Sequence, residues 1–187
     1  MIPFHSQAGQ DRFVFEMLVR RGLLDGKFLD IGCCEPIKLS NTYALEQVGW
    51  TGDLFDLDPN AVAQCIKVRS SRVHLMDATK ARWEEFPNLK RVDYLSLDVD
   101  SATLPTLEVL LAAGIKFRVA TIEHDSYRFG VHARDRMREM LRAAGYHCYV
   151  ENVASEGLPF EDWWVEESLR GLKIDLSFVE TAAPTPP

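Results

Sequence analysis

The sequence has no long hydrophobic run, an excess of acidic over basic residues and no signal for secretion, and each of these features excludes a class of protein. No apolar stretch approaches the roughly 18 residues of a membrane span, and the N-terminus (MIPFHSQAGQDRF) lacks the charged and then apolar pattern of a signal peptide. Lysine and arginine number 21 against 28 acidic residues, a net charge of -7, which argues against sequence-independent binding to nucleic-acid backbones. We therefore expect a cytoplasmic protein with no nucleic-acid or membrane partner.

Paired cysteine motifs are also absent. The four cysteines (Cys33, Cys34, Cys65 and Cys148) have no CxxC spacing for zinc or redox chemistry and lie in or beside apolar patterns, so we expect reduced and mostly buried thiols. The 187 residues, 47% of them hydrophobic, suffice for one core. We expect one domain over residues 1–180, of which 1–26 form a loop and a helix, and a disordered tail over 181–187 (TAAPTPP).

Glycine is scarce where a nucleotide-binding loop would need it. The stretch KFLDIGCCEP resembles a strand that ends in a turn, but it has one glycine, whereas a dinucleotide fingerprint has three and a P-loop adds a lysine. Gly32 permits a positive φ and a close approach of the backbone to a ligand. Asp30 would repel a pyrophosphate and suits a cationic group such as the aminoacyl end of S-adenosylmethionine, although it could equally cap the turn.

The rest of the chain alternates between strand and helix patterns. Alternating strands and helices predict an α/β fold with a mostly parallel sheet and helices on both faces. The last two predicted strands are separated by a mostly non-helical crossover, which predicts an antiparallel pair at one edge. The segment 160–169 (FEDWWVEESL) is interpreted as a loop and helix with an aromatic anchor. The predicted strands are 28–33, 51–57, 73–76, 92–98, 117–123, 146–153 and 174–179, and the main predicted helices begin near residues 13, 40, 59, 104 and 132.

Acidic residues stand at or near the end of each of the first five predicted strands. The carboxyl ends of parallel strands form the ligand-binding edge of such a sheet. Asp56 follows Asp30 by 26 residues, a spacing at which a carboxylate accepts the two hydroxyls of a ribose. The other strand ends carry Asp77, Asp98 and Glu123.

Together the segments SQAGQDRF, FLDIGCCEP, SNTYALEQVGWTGDLFDLDP, DYLSLDVD and FEDWWVEE resemble the FkbM-like branch of the class I S-adenosylmethionine-dependent methyltransferases. The resemblance extends from Ser6 to about Val179. It implies a single-domain Rossmann-like fold with a seven-stranded sheet and an antiparallel last strand.

The resemblance also assigns residues to the cofactor. It implies that Asp30 and Gly32 line the aminoacyl end of S-adenosylmethionine and that Asp56 binds the ribose. It also implies that Asp77 accepts a hydrogen bond from the adenine amino group, with Ala78 beside it, and that Asn41 adds a polar contact. Two segments depart from the family pattern: Cys34 and Pro36 stand in the first loop, and Ser-Ala-Thr follows LDVD.

For catalysis, the sequence offers one cluster of proton-accepting groups at this edge: Asp98, Glu123, His124 and Asp125. One hypothesis makes His124 the general base, oriented by Asp98 or Glu123. A second has Asp98, Glu123 and His124 hold Mg²⁺ or Mn²⁺, which lowers the pKa of the acceptor hydroxyl. In a third, His124 only bonds the backbone.

The sequence thus predicts a methyltransferase that uses S-adenosylmethionine to methylate a hydroxyl on a sugar, glycan or other small molecule, with no oligomeric state indicated. A non-catalytic cofactor-binding module and an NAD-type oxidoreductase remain alternatives, and the missing glycines disfavour the latter.

Overall fold

The computed structural model describes residues 2–183, so the last four residues of the predicted tail lie outside the described part. One seven-stranded sheet has the order β3-β2-β1-β4-β5-β7-β6. The strands are β1 (Lys27–Ile31), β2 (Thr51–Asp56), β3 (Arg72–Leu75), β4 (Arg91–Leu97), β5 (Lys116–Glu123), β6 (Tyr146–Ser155) and β7 (Leu158–Glu166). The first five are parallel, and β7 is antiparallel to both β5 and β6. The predicted fold class is therefore confirmed.

Helices cover both faces of the sheet. Strand residues alternate between the faces, so neighbours such as Phe28 and Leu29 enter different cores. One core packs against α1, α2 and α3, and the other against α4 and α6. The helices are α1 (Gln10–Met17), α2 (Tyr43–Glu46), α3 (Pro59–Val68), α4 (Thr103–Ala112), α5 (Ser126–Phe129) and α6 (Val131–Ala143).

The interpretation of residues 160–169 as a loop and helix was wrong. Most of that segment belongs to β7, and the antiparallel last strand is β7 rather than the predicted strand 174–179. The turn at Glu156 and Gly157, with φ values of 53° and 79°, makes a tight hairpin from β6 into β7. Trp163 and Trp164 lie on opposite faces of β7 and are both fully buried, so they are core residues.

The segment after β7 runs along the outer edge of β6. Thr181 bridges Val153, and the Ala182 N–H donates to the carbonyl of Asn152 at 3.0 Å. The first residues of the predicted tail are thus hydrogen-bonded to the sheet. Among the described residues, no helix has both the length and the apolar character needed to cross a membrane.

Candidate cofactor cleft and acidic edge

A cleft of about 480 Å³ opens at the carboxyl ends of β1, β2 and β4. This volume lies within the range of about 300–1,000 Å³ that is typical of small-molecule sites. The topology brings all six cofactor residues named from the sequence to the walls of this cleft, together with Asp98. They are Asp30, Gly32, Asn41, Asp56, Asp77 and Ala78.

Gly32 makes the turn at the end of β1. Its φ is +89°, and a Cβ added there would overlap the main-chain carbonyl oxygen of Asp98. A larger residue is therefore excluded both by backbone conformation and by the close approach of the chain after β4. Gly32 lets the two strand ends meet at the floor of the cleft.

Asp56, at the end of β2, presents an oriented carboxylate to the cleft. Its Oδ2 accepts the Cys34 N–H at 2.9 Å and its Oδ1 accepts the Asp58 N–H at 2.8 Å. Because each carboxylate oxygen has two lone pairs, Oδ1 keeps one for a further donor, while the second lone pair of Oδ2 meets only the Cys33 thiol, a weak donor at 4.0 Å. This arrangement suits the paired hydroxyls of a ribose.

Asp30 is 3% exposed and belongs to a buried polar network under the cleft. Its Oδ2 accepts from the Thr42 hydroxyl at 2.5 Å, and Thr42 in turn accepts from Arg69 at 2.8 Å. Burial raises the pKa of Asp30, and the positive charge of Arg69 opposes that effect. Arg69 also forms a buried ion pair with Glu46 at 2.7 Å, so the network ties α3 to the loop before α2. Thr42 stands in a segment that carries the family resemblance, but the sequence assigned it no role, and Arg69 stands in no recognisable motif.

Asp77 is more strongly engaged within the chain than the sequence suggested. Its carboxylate accepts from the N–H and hydroxyl of Thr79 and pairs with Lys80 at 2.8 Å. These partners, Lys80 first, lower the pKa of Asp77 to about 2. Next to it, the Ala78 carbonyl accepts from the Trp83 indole at 3.2 Å, which fixes the adjacent peptide. Asn41, on the opposite wall, donates to Ser96 at 3.0 Å.

Asp98 and Glu123 form a coupled pair of carboxyl groups at the substrate side of the cleft. Burial and the charge of Asp98 raise the pKa of Glu123 to about 10. Glu123 therefore carries the proton at neutral pH and donates it in a hydrogen bond to Asp98. Asp98 is the exposed member of the pair and faces the cleft.

His124 is not brought to the cleft. At the end of β5, the carboxylates of Glu123 and Asp125 lie together, whereas His124 packs against Asp162. The His124 Nδ1 accepts the Ser126 N–H at 3.1 Å, and its Nε2 lies 3.6 Å from Asp162. The imidazole is 1% exposed. This placement removes His124 from the predicted catalytic and metal-binding sets, and Asp98 and Glu123 are the members that stay at the edge.

Behind His124 lies a buried ion pair that no sequence motif indicated. Asp162 accepts from Arg138 through both oxygens, at 2.7 and 2.8 Å, and also accepts the Asn152 N–H at 2.8 Å. Although burial opposes them, Arg138 and His124 lower the pKa of Asp162. His124 therefore belongs to a structural cluster that joins α6 to β7.

An acidic edge, defined here as Asp98, Asp100, Glu123 and Asp125, borders the cleft. Carboxylate oxygens of Asp100, Glu123 and Asp125 lie within 4.8 Å of one another, a spacing compatible with one divalent ion. Asp125 has a φ of 42°, and burial raises its pKa. The geometric candidate for a metal is thus this trio, rather than the predicted set of Asp98, Glu123 and His124.

The N-terminal segment closes one side of the cleft. Gln7 and Gln10 line it, and the Gln10 amide donates to Glu161 at 2.9 Å. Asp11 is fully buried and accepts from the main-chain N–H groups of His5, at 2.6 Å, and Ser6, at 3.2 Å. Asp11 therefore fastens the segment, while the two glutamines face the ligand space.

Known proteins resemble this chain in structure but show no match in sequence. No family model matches the sequence, and no curated protein matches it significantly. Among solved structures, an O-methyltransferase from Bacillus cereus in complex with SAH superposes with a TM-score of 0.63 at 14% identity, over 89% of this chain and 84% of that one. The chain has the class I methyltransferase fold.

Two further structures show the range of proteins that share this fold. A TehB-like SAM-dependent methyltransferase from Corynebacterium glutamicum has a TM-score of 0.59 at 15% identity and covers 86% of this chain and 88% of its own. The fibrillarin pre-rRNA processing protein of Methanococcus jannaschii has a TM-score of 0.58 at 16% identity, over 81% and 69%. At these identities the class I methyltransferase fold is shared, and the fold alone does not assign a substrate.

Proposed function

We propose that the protein is an S-adenosylmethionine-dependent methyltransferase that methylates a hydroxyl on a sugar, glycan or other small molecule, and that it is related to the FkbM-like enzymes. The observation that carries the proposal is the Asp56 carboxylate. Two backbone N–H groups hold it at the end of β2. Its Oδ1 keeps a free acceptor position at the cleft, and the second position of its Oδ2 has only the Cys33 thiol, a weak donor at 4.0 Å.

The residues of the cleft fit this cofactor. Asp56 would accept the ribose hydroxyls, and Asp30 and Gly32 would line the cationic aminoacyl end. Asp77 would reach the adenine amino group only through acceptor positions that Thr79 and Lys80 leave free, so Ala78 and its fixed peptide carry more of the contact with the base. When bound, S-adenosylmethionine supplies an electrophilic methyl group on a sulfonium.

The acceptor would enter along the acidic edge, where Asp98 is placed to take its proton. An anionic acceptor holds a hydroxyl for in-line attack and receives the hydroxyl hydrogen, while the neutral Glu123 stabilises the charge on Asp98. The same carboxylates repel phosphates. This charge supports a small-molecule or glycan acceptor over a nucleic acid.

A divalent ion is a second candidate for activating the acceptor. Asp100, Glu123 and Asp125 would hold it through oxygen ligands, the donor type that Mg²⁺ prefers. When bound, the ion would lower the pKa of a coordinated hydroxyl. Calorimetry with Mn²⁺ tests this version without an activity assay, and an Asp125→Asn variant that binds Mn²⁺ as tightly as the wild type would reject the trio.

Calorimetry with S-adenosylmethionine, S-adenosylhomocysteine and NADH tests the proposed function directly. We expect binding of the first two ligands and none of the third. A protein that binds neither S-adenosyl ligand refutes the proposal. A protein that binds them but transfers no methyl group to any hydroxylated compound in a broad screen would be a cofactor-binding module.

The four free thiols accord with the cytoplasmic location that we propose.

A further inference from the structure

Two cysteines meet at the wall of the cleft. Cys33 follows Gly32 in the turn after β1, and its Sγ lies 3.8 Å from the Sγ of Cys65 on α3. Cys33 is 5% exposed and lines the cleft, whereas Cys65 is fully buried behind it. The proposed reaction uses neither thiol.

We propose that Cys33 and Cys65 form a reversible disulfide that distorts the turn after β1 and weakens ligand binding in the cleft. The effect on S-adenosyl ligands rests on the proposed function, but formation of the bond does not.

The reaction needs an oxidant, for which we name hydrogen peroxide. One peroxide molecule takes two electrons and two protons from the pair: the two S–H bonds and the O–O bond break, the S–S bond forms, and two water molecules leave. A thiol reductant reverses the bond by exchange. Peroxide is small enough to enter through the cleft, where Cys33 is the accessible sulfur.

The surroundings of the pair favour its reaction. The Cys33 thiol and the nearby Arg69 charge lower the pKa of Cys65, although burial opposes them. The hydrogen bond with Cys65 and burial raise the pKa of Cys33. The pair thus sets a thiol of lowered pKa beside one of raised pKa, and a lowered pKa favours the thiolate through which a disulfide forms.

The bond would strain the turn, which the Gly32 and Cys33 N–H groups hold by donating to the carbonyl of Phe55. Sulfurs in a disulfide are about 2.05 Å apart, so this pair must approach by about 1.8 Å. The segment of α3 that carries Cys65 is held by Arg69, whose guanidinium is bound to Glu46, Ser40 and Thr42. The turn is joined to the cleft by the Cys34 N–H, which donates to Asp56. Movement of Cys33 therefore strains the hydrogen bond that orients the Asp56 carboxylate.

The test uses a Cys34→Ser/Cys148→Ser variant, in which Cys33 and Cys65 are the remaining thiols. After treatment with hydrogen peroxide, we expect the intact monomer to lose about 2 Da, the mass of two hydrogens, and dithiothreitol to restore it. Calorimetry should show S-adenosylhomocysteine binding that is at least about tenfold weaker in the oxidised form, as expected for a perturbed hydrogen bond to a charged group. Excess S-adenosylhomocysteine should slow the oxidation, because it covers Cys33.

Adding Cys65→Ala to this background supplies the control, with a melting curve to establish that it folds. It should show no loss of 2 Da and no change in affinity that dithiothreitol reverses. Two thiols that stay reduced, or that progress to sulfinic acids or intermolecular dimers, overturn the proposal. A disulfide with unchanged ligand affinity overturns the coupling to the cleft. If neither redox form binds S-adenosylhomocysteine, the proposed function fails, while the mass measurement still decides whether the bond forms.

Discussion

The buried carboxyl group of Glu161 should make the stability of this protein depend on pH in a direction opposite to that of an ordinary paired acid. Glu161 lies on β7 and is 1% exposed. Its Oε2 accepts from the Gln10 amide at 2.9 Å and from the Trp163 indole at 2.8 Å. Burial outweighs these hydrogen bonds and raises the pKa of Glu161 from 4.5 to about 8.

Because the folded pKa is raised, the folded state binds the proton more tightly than the unfolded state. The contribution of Glu161 to stability is thus most favourable below the unfolded pKa and declines as pH rises through the folded pKa. The difference of about 3.5 between the two pKa values, at 1.36 kcal/mol for each pKa unit, sets an upper limit of about 5 kcal/mol on this decline.

Glu161→Gln removes the ionisation and keeps an oxygen that accepts from Gln10 and Trp163. We expect the variant to resemble the wild type at about pH 5 and to be more stable, by up to a few kcal/mol, at about pH 9. Urea denaturation of both proteins at several pH values gives the difference in unfolding free energy, from which the other titrating groups largely cancel.

Glu166→Gln, on the same strand, is the matched control with the opposite sign. Although partial burial opposes them, Ser168 and Arg118 lower the pKa of Glu166. Its contribution to stability is therefore present above the unfolded pKa, and the Gln variant should be the less stable protein at neutral pH. A stability difference for Glu161→Gln that stays constant from about pH 5 to about pH 9 would refute the assignment of a raised pKa.

Four further predictions concern the cleft and the cluster beside it. Asp56→Ala should weaken S-adenosylhomocysteine binding by roughly 2–4 kcal/mol, because two charge-assisted hydrogen bonds are lost with overlapping effects; calorimetry that finds affinity within about twofold of the wild type would place the ribose elsewhere. Gly32→Ala should lower the unfolding free energy in urea by at least about 3 kcal/mol, because of backbone strain and overlap with Asp98. The control Gly114→Ala, at a positive φ in open space, should lower it by only about 1 kcal/mol. His124→Ala should lower the melting temperature but leave S-adenosylhomocysteine affinity within about twofold. With an identified acceptor, Asp98→Asn should abolish most turnover; a normal rate for Asp98→Asn would remove Asp98 from catalysis.

Much of the fold could be predicted from local patterns. Strands β1 to β5 were recognisable because each is a short apolar run followed by a turn or helix signal, and glycines such as Gly114 and Gly145 end the helices before β5 and β6. The order of these elements implied a parallel sheet, since right-handed crossovers leave few alternatives. That order also placed Asp30, Asp56 and Asp77 at one edge, where the structure finds the cleft.

The end of the sheet was not predictable by the same means. Strand β7 is buried on both faces, so FEDWWVEE has no clean alternation of polar and apolar residues to distinguish a strand from a loop and helix. Its partners are also distant in sequence: β5 ends at Glu123, and its pairing with Glu161 depends on the hairpin at Glu156 and Gly157.

The sequence by itself determined which chemical groups stand at the strand ends, because residue type and position in a repeating α/β unit follow directly from chain order. Only the tertiary structure decided which way each group points and what it meets. His124 and Asp125 are adjacent, yet one is buried beside Asp162 and the other joins the acidic edge. Cys33 and Cys65, 32 residues apart, are in contact. Such pairings depend on the rotation of strand ends and on helix packing across the sheet, which no local pattern encodes.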